Sequence, residues 1–344
     1  MHLSGSERER KLVSLPLPEV DRFVEIRSPK GKRDFDTADY RALYRYCFPE
    51  PDEQSPWSSM VGTITDTARI DSGTEGSEAL RKKYGSLRYR DVVALNGRRV
   101  VGFTSFVTMP LDSNNGIVYS LYTGMADKAF MGSQYGSSQN FRGRDLVSLF
   151  MVLRHGMAEE DAQKLGYARN VAGTMMDASF IGQGHDAQDI RDTRKRLDIY
   201  GHLGALVLML DAGSGCWITP CFQPALAENS NPLLMHLLFR ERQIDYKRIA
   251  PVSEIDLELA RNLARAYASS YDWQSSPVEI DEMRGFMDTR FAAAKRAILV
   301  RPEDLPNMAV LASMDDVLKK QVERDYGSLS EHARRIERAL KPRF

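Results

Sequence analysis

Helical spacing and strand alternation divide most of the chain into segments before composition is considered. Thr193 to Asp211 reads TRKRLDIYGHLGALVLMLD. Arg194, Leu197 and Gly201 recur at helical spacing with Tyr200 beside them, and Gly204 stands where a left-handed C-cap belongs. Ala205 to Leu210 is then an unbroken run of six apolar residues, which predicts a strand covered on both faces. Upstream, Tyr40, Leu43, Tyr44 and Cys47 fall at i, i+3, i+4 and i+7 behind Thr37, an N-cap residue. They predict a helix stopped by Pro49 and Pro51. Residues 52–74, rich in Ser, Thr, Gly and Asp, are expected to form a long loop.

Val92 to Leu95 and Val100 to Val107 flank Asn96-Gly97, a pair suited to a type I′ hairpin turn. Both faces of the second arm are mostly apolar, as in a central strand. Asp112 to Gly116 predicts another turn, and Ile117 to Thr123 a third strand. Beyond a Gly-, Ser- and Gln-rich passage (132–140), a long helix is expected from near Arg144. Leu146, Leu149, Phe150, Leu153, Met157 and Leu165 would form its buried face, and Gly166 would close it. Ala168 to Met176 reads as a strand, followed by a polar loop from Asp177 to Asp189; Cys216 to Phe222 and Leu233 to Phe239 are further apolar runs.

From about Ile249 the pattern turns helical. Ser253 with Asp256 forms a capping-box variant before Ile255, Leu259, Leu263 and Tyr267, and Ser276-Pro277-Val278-Glu279 opens a second helix. Two more helices are expected over Met314–Tyr326 and Ser330–Leu340. This reading gives an N-terminal arm (1–35), an α/β domain with helices flanking a mixed, mostly antiparallel sheet (36–248), and a helical C-terminal extension (249–344).

Composition narrows the possible partners. The 344 residues carry 47 basic and 47 acidic side chains, so no long-range field favours nucleic acid or an anionic membrane. No apolar stretch reaches the length of a membrane span, and the first twenty residues lack the apolar core of a secretory signal. Three cysteines (Cys47, Cys216, Cys221) are too few for a disulfide framework. A cytoplasmic protein with neither membrane nor nucleic-acid partners is expected. His155 and His202 lack companions at ligand spacing, so no metal site is expected. Neither a P-loop of the G-x-x-x-x-G-K-[ST] kind nor a nucleophile elbow is present, and Gly182-x-Gly184 lacks the third glycine of a dinucleotide fingerprint.

The order helix, hairpin, strand, loop, long helix, strand, helix, strand, strand resembles that of the GNAT acyltransferases, the Gcn5-related N-acetyltransferase superfamily. Tyr200, Leu203 and Gly204 stand as in that family's recurring Y-x-x-L-G-[FA] pattern, and the resemblance covers roughly Asp36 to Phe239. It implies an enzyme in which an amine attacks the thioester of acetyl-CoA, or of a longer acyl-CoA, held where two neighbouring strands splay apart. Those strands would be Ile117–Thr123 and Ala168–Met176. Backbone groups of the first, Leu121, Tyr122 and Thr123 among them, would pair with the pantetheine amides. Arg142, Gly143 and Arg144, matching the start of an R-G-x-G-x-G loop, would receive the pyrophosphate at the helix N-terminus. Asp145 departs from that pattern, either as a charge to be neutralised or as a helix cap. Tyr200 would protonate the departing thiolate, and Asp177, His185 or Asp186 would be the general base. The acceptor would be a small-molecule or protein amine, and the extension would cap its site or form a homodimer. Two alternatives remain at this stage. One is a divergent, non-catalytic member of the same fold; the other takes its acyl group from a carrier protein or an aminoacyl-tRNA.

Overall fold

The computed structural model describes residues 25–29, 31–35, 37–49, 54–126, 143–166, 171–180, 187–213, 216–224, 233–242, 252–272, 275 and 277–305. The chain forms two compact units, Met1–Met176 and Asp177–Phe344. Both combine helices with a mostly antiparallel sheet. Among the described residues no helix is long and apolar enough to cross a membrane, and no cluster of His, Cys, Asp and Glu could hold a metal ion.

The described part of the first unit opens with β1 (Glu25–Arg27), α1 (Lys32–Phe35) and α2 (Ala38–Cys47). Thr37 caps α2 as expected, its side chain accepting from Tyr40 N at 3.2 Å. The expected loop at 52–74 is instead mostly helix: α3 spans Trp57–Ser72, and α4 follows at Ser77–Tyr84. Met60, Val61, Ile64 and Ile70 are buried at helical spacing, with Thr63 and Thr67 filling the places between them. Thr63 satisfies its hydroxyl on the helix itself, donating Oγ1 to Ser59 O, whereas Thr67 Oγ1 is buried without a hydrogen-bond partner.

Three antiparallel pairings then link β1, β2 (Arg88–Asn96), β3 (Arg99–Pro110) and β4 (Gly116–Met125). The hairpin reverses at Gly97-Arg98, with Gly97 at φ +65°. Apart from its two end residues β3 is buried on both faces, as its pattern predicted. The long helix α5 (Gly143–Leu165) packs on β3 and β4, and β5 (Val171–Ser179) follows. Leu146 and Phe150 are buried in α5 as expected, whereas Leu149, Leu153, Met157 and Leu165 are only half-buried. Ala158, Ala162 and two charged residues, Arg154 and Asp161, complete the buried stripe instead. Small alanines let the helix lie close, and hydrogen bonds make the two charges tolerable.

In the second unit β9 (Leu233–Glu241), β6 (Leu206–Gly213), β11 (Arg296–Val300) and β10 (Val252–Ile255) are hydrogen-bonded in that order, all antiparallel. Short strands β7 (Cys216–Ile218) and β8 (Cys221–Gln223) add to β6 and β9. β6 is the strand its apolar run predicted, preceded by α6 (Ala187–His202) and by Gly204 at φ +80°. The segment beyond 249 is not helical throughout: β10 and β11 accompany α7 (Leu257–Ser269) and α8 (Pro277–Ala293). Ser253 lies in β10 opposite Leu299, so Asp256 caps α7 alone, accepting from Glu258 N at 2.7 Å. The helices expected at 314–326 and 330–340 lie outside the described residues.

Candidate functional site

Residues of β4 and β5 build the most distinctive backbone feature of the first unit. The two strands run parallel and pair at Gly116↔Val171, Val118↔Thr174 and Tyr119↔Met175. Among the described residues their ladder ends there. From Ser120 to Met125 the described pairing of β4 is with β3, and among the described residues no strand pairs with its other edge there. The same point carries a β-bulge: Ser105 pairs with Tyr122 and Phe106 with Ser120, so Leu121 is unopposed.

The bulge changes which side chains share a face. Ser120 and Thr123, three residues apart, lie on one side, with Ser120 Oγ 3.4 Å from Thr123 Oγ1 and the latter 3.0 Å from Thr104 Oγ1. Arg154 of α5, itself buried, donates to Ser120 on that face. Tyr122 points to the other side, where its hydroxyl meets Ser55 Oγ at 2.6 Å and its ring packs on Tyr44 and Phe48. Its side chain is therefore committed to the core.

Helix α5 starts at the same end of β4. Gly102 pairs with Met125, and a Cβ on Gly102 would collide with Leu146 in the first turns of α5. Glycine thus permits the helix to approach β3 closely. With Leu146 over this end and Arg154 over Ser120, the helix N-terminus lies toward the part of β4 that has left β5. Gly143 and Arg144 open α5; Arg142 lies outside the described residues.

Of the proton-transfer candidates, Asp177 and Tyr200 fall in the second unit, and His185 and Asp186 lie outside the described residues. Tyr200 is half-buried near the end of α6, and its carbonyl accepts from Leu203 N and Ala205 N in the C-terminal turn. Asp177 continues β5 and is half-buried. Tyr267 Oη lies 3.1 Å from its Oδ2, and Tyr271 Oη lies 3.2 Å from Tyr267 Oη. Burial, with the nearby Tyr271 and Asp177, holds the Tyr267 pKa well above its ordinary value. Burial and the Asp177 charge likewise push the Cys221 thiol upward. His236 is buried against the Phe180 ring, and burial together with Arg194 lowers its pKa to about 3, so it is a neutral core side chain.

Sequence reasoning missed Tyr267 and Tyr271 as neighbours of Asp177. Tyr267 fell at an apolar position of a helix and read as core, which at 0% exposure it also is. A tyrosine at such a position needs a partner for its hydroxyl, and that need was the available signal.

No protein-family profile and no curated protein matches the chain. Several solved structures are similar in backbone arrangement. One, assigned to the GNAT family of acetyltransferases and from Bacteroides thetaiotaomicron, is 13% identical; the match covers 65% of this chain and 89% of that one at a TM-score of 0.33. An N-acetyltransferase from Staphylococcus aureus Mu50 is 11% identical over 63% of this chain and 97% of its own, with a TM-score of 0.31. A GNAT-family acetyltransferase from Elizabethkingia anophelis, with acetyl-CoA bound, is 12% identical over 63% and 97%, with a TM-score of 0.25. Superpositions this loose leave the functional question to the geometry of β4, β5 and α5.

Proposed function

We propose that the protein is an N-acyltransferase of the GNAT type, moving an acetyl or longer acyl group from acyl-CoA to an amine. The observation that carries this reading is the end of the β4–β5 ladder at Tyr119↔Met175, beside the bulge at Leu121 and toward the start of α5. An extended edge of backbone N–H and C=O groups at Leu121, Tyr122 and Thr123 suits a pantetheine arm, whose amides can pair with it much as an added strand would. The first turn of α5 supplies N–H groups and a positive dipole end for a pyrophosphate. Arg142, Gly143 and Arg144 are the residues assigned to it.

In the reaction, the amine nitrogen attacks the thioester carbonyl carbon. A C–N bond forms, the nitrogen gives up its proton to a base, the C–S bond breaks, and the thiolate leaves and is protonated. Asp177 is the base in this reading, with His185 the other candidate, and Tyr200 is the acid that meets the thiolate. The acceptor is a small-molecule or protein amine.

Calorimetry and thermal unfolding with CoA and acetyl-CoA test the reading directly. A ligand at about 100 times its Kd should stabilise the protein by about 2.7 kcal/mol. If neither ligand shifts unfolding or releases heat at millimolar concentration, the acyl-CoA reading is lost. If binding is seen, Tyr200→Phe should lower kcat by roughly 10²-fold or more while leaving acetyl-CoA affinity within about twofold. An unchanged kcat would remove Tyr200 from the mechanism without touching the cofactor site.

A further inference from the structure

We infer that Tyr267 and Tyr271, both beyond the region of family resemblance, are positioning residues that hold the Asp177 carboxylate for proton abstraction. The inference rests on the acyl-transfer reading above. Asp177 sits on a strand and is half-buried, while Tyr267 and Tyr271 are 0% and 4% exposed. The carboxylate is held by a buried phenol, which is itself backed by a second one.

The direction of the hydrogen bonds follows from counting protons. An ionised carboxylate only accepts, so Tyr267 donates its single proton to Asp177 Oδ2 across 3.1 Å. Its oxygen is then the acceptor for Tyr271, 3.2 Å away. The sequence of donors is Tyr271, Tyr267, Asp177. Burial keeps Tyr267 protonated through the neutral range, so this donor is not lost where an acyltransferase would work. Tyr267 and Tyr271 from α7 and the Cys221 thiol from β8 are titratable groups on this side of Asp177. Burial pushes both the Tyr267 phenol and the Cys221 thiol upward, so each keeps its proton in that range.

The support behind the phenols is rigid. The two rings meet edge to face at 5.3 Å, and Ser270 Oγ donates to Tyr267 O at 2.6 Å. α7 itself is anchored at its start by the Asp256 cap. A carboxylate held by a buried phenol keeps a fixed rotamer. Such pre-orientation is what proximity requires of a base.

The test follows thiol release from acetyl-CoA with a panel of primary amines, across the neutral pH range, for the wild type, Asp177→Asn, Tyr267→Phe and Tyr271→Phe. Asp177→Asn should lower kcat by roughly 10²- to 10⁴-fold. Tyr267→Phe keeps the ring and its packing. It should lower kcat by about tenfold, leave the acetyl-CoA KM unchanged and move the acid limb of the kcat/KM profile to higher pH, because a donor to the ionised carboxylate is gone. Tyr271→Phe should act in the same direction and less strongly. A Tyr267→Phe enzyme with wild-type kcat and an unmoved acid limb overturns the inference and leaves the acyl-transfer reading standing. So does an Asp177→Asn enzyme that turns over normally. If no amine of the panel is acylated, the slow hydrolysis of acetyl-CoA, with water as acceptor, is followed in the same variants, and a rate indifferent to Tyr267→Phe overturns the inference. Absence of any CoA binding overturns both.

Discussion

Raising the pH from about 4 to about 7 is expected to lower the stability of the first unit by about 4 kcal/mol through Asp91. This side chain is completely buried between β2, β3 and α2. Burial raises its pKa from 3.8 to about 7, even though hydrogen bonds from Ser105, Tyr40 and the Val92 backbone pull the other way. Both hydroxyl donors reach the same oxygen: Ser105 Oγ is 2.6 Å and Tyr40 Oη 2.8 Å from Oδ1. Oδ2 is buried without a hydrogen-bond partner, which makes it the natural seat of the retained proton.

The sign of the effect follows. Between roughly pH 4 and 7 the folded chain binds one proton more than the unfolded chain, so stability falls as pH rises. The contribution is complete below the unfolded pKa and lost once pH passes the folded one. At ~1.4 kcal/mol per pH unit the loss over that window is about 4 kcal/mol. Asp91→Asn copies the neutral form, since its amide oxygen can keep both donors. The variant should match the wild type near pH 4 and exceed it by several kcal/mol near pH 8. Urea unfolding of both proteins across this range, read on the transition of the first unit, measures the difference. Parallel pH profiles for wild type and variant would show that Asp91 is not the group responsible.

What could be read from the sequence depended on whether one residue type held one role. The run Ala205–Leu210 contains nothing but apolar side chains, and it is the buried strand it predicted. Thr37 had one local task, capping, and performs it. α3 was hidden because Thr63 and Thr67 are buried where a helix pattern calls for Leu or Ile. β11 is only five residues long, too short for alternation to separate it from a helix end, and its pairing with β6 bridges some eighty-five positions of sequence, from Asp211 to Arg296. A parting of β4 and β5 was implied by family resemblance alone, and among the described residues their pairing ends at Tyr119↔Met175. No periodicity announces where a ladder stops, because that is a property of two strands and a bulge together. The hydrogen bond between Asp177 and Tyr267 is ninety residues apart in sequence and was equally out of reach.

Arg90→Ala is expected to destabilise the first unit by about 3–5 kcal/mol. Arg90 precedes Asp91 on β2 and so faces the opposite side of the sheet, toward α5. Its guanidinium forms a two-pronged pair with Asp161 of α5, with Nε 2.9 Å from Oδ2 and Nη2 on Oδ1, and its Nη1 reaches Asp71 of α3. The Asp161 side chain is 1% exposed. Removing the arginine leaves that carboxylate buried beside a void, and an uncompensated charge costs far more than an intact pair contributes. Arg90→Met with Asp161→Leu removes both charges and should recover most of the loss, which denaturant unfolding of the three proteins can show. A single variant within about 1 kcal/mol of wild type would contradict this account. The same pair bears on function. Together with Arg154 on Ser120 and Leu146 over Gly102, it fixes α5 against β3 and β4 and so fixes where its first N–H groups point. If those groups hold a pyrophosphate, Arg90→Ala should weaken CoA binding although Arg90 lies at the far end of the helix, and the double variant should restore it along with stability. Stability recovered without affinity would mean that the donor site does not depend on the seat of α5.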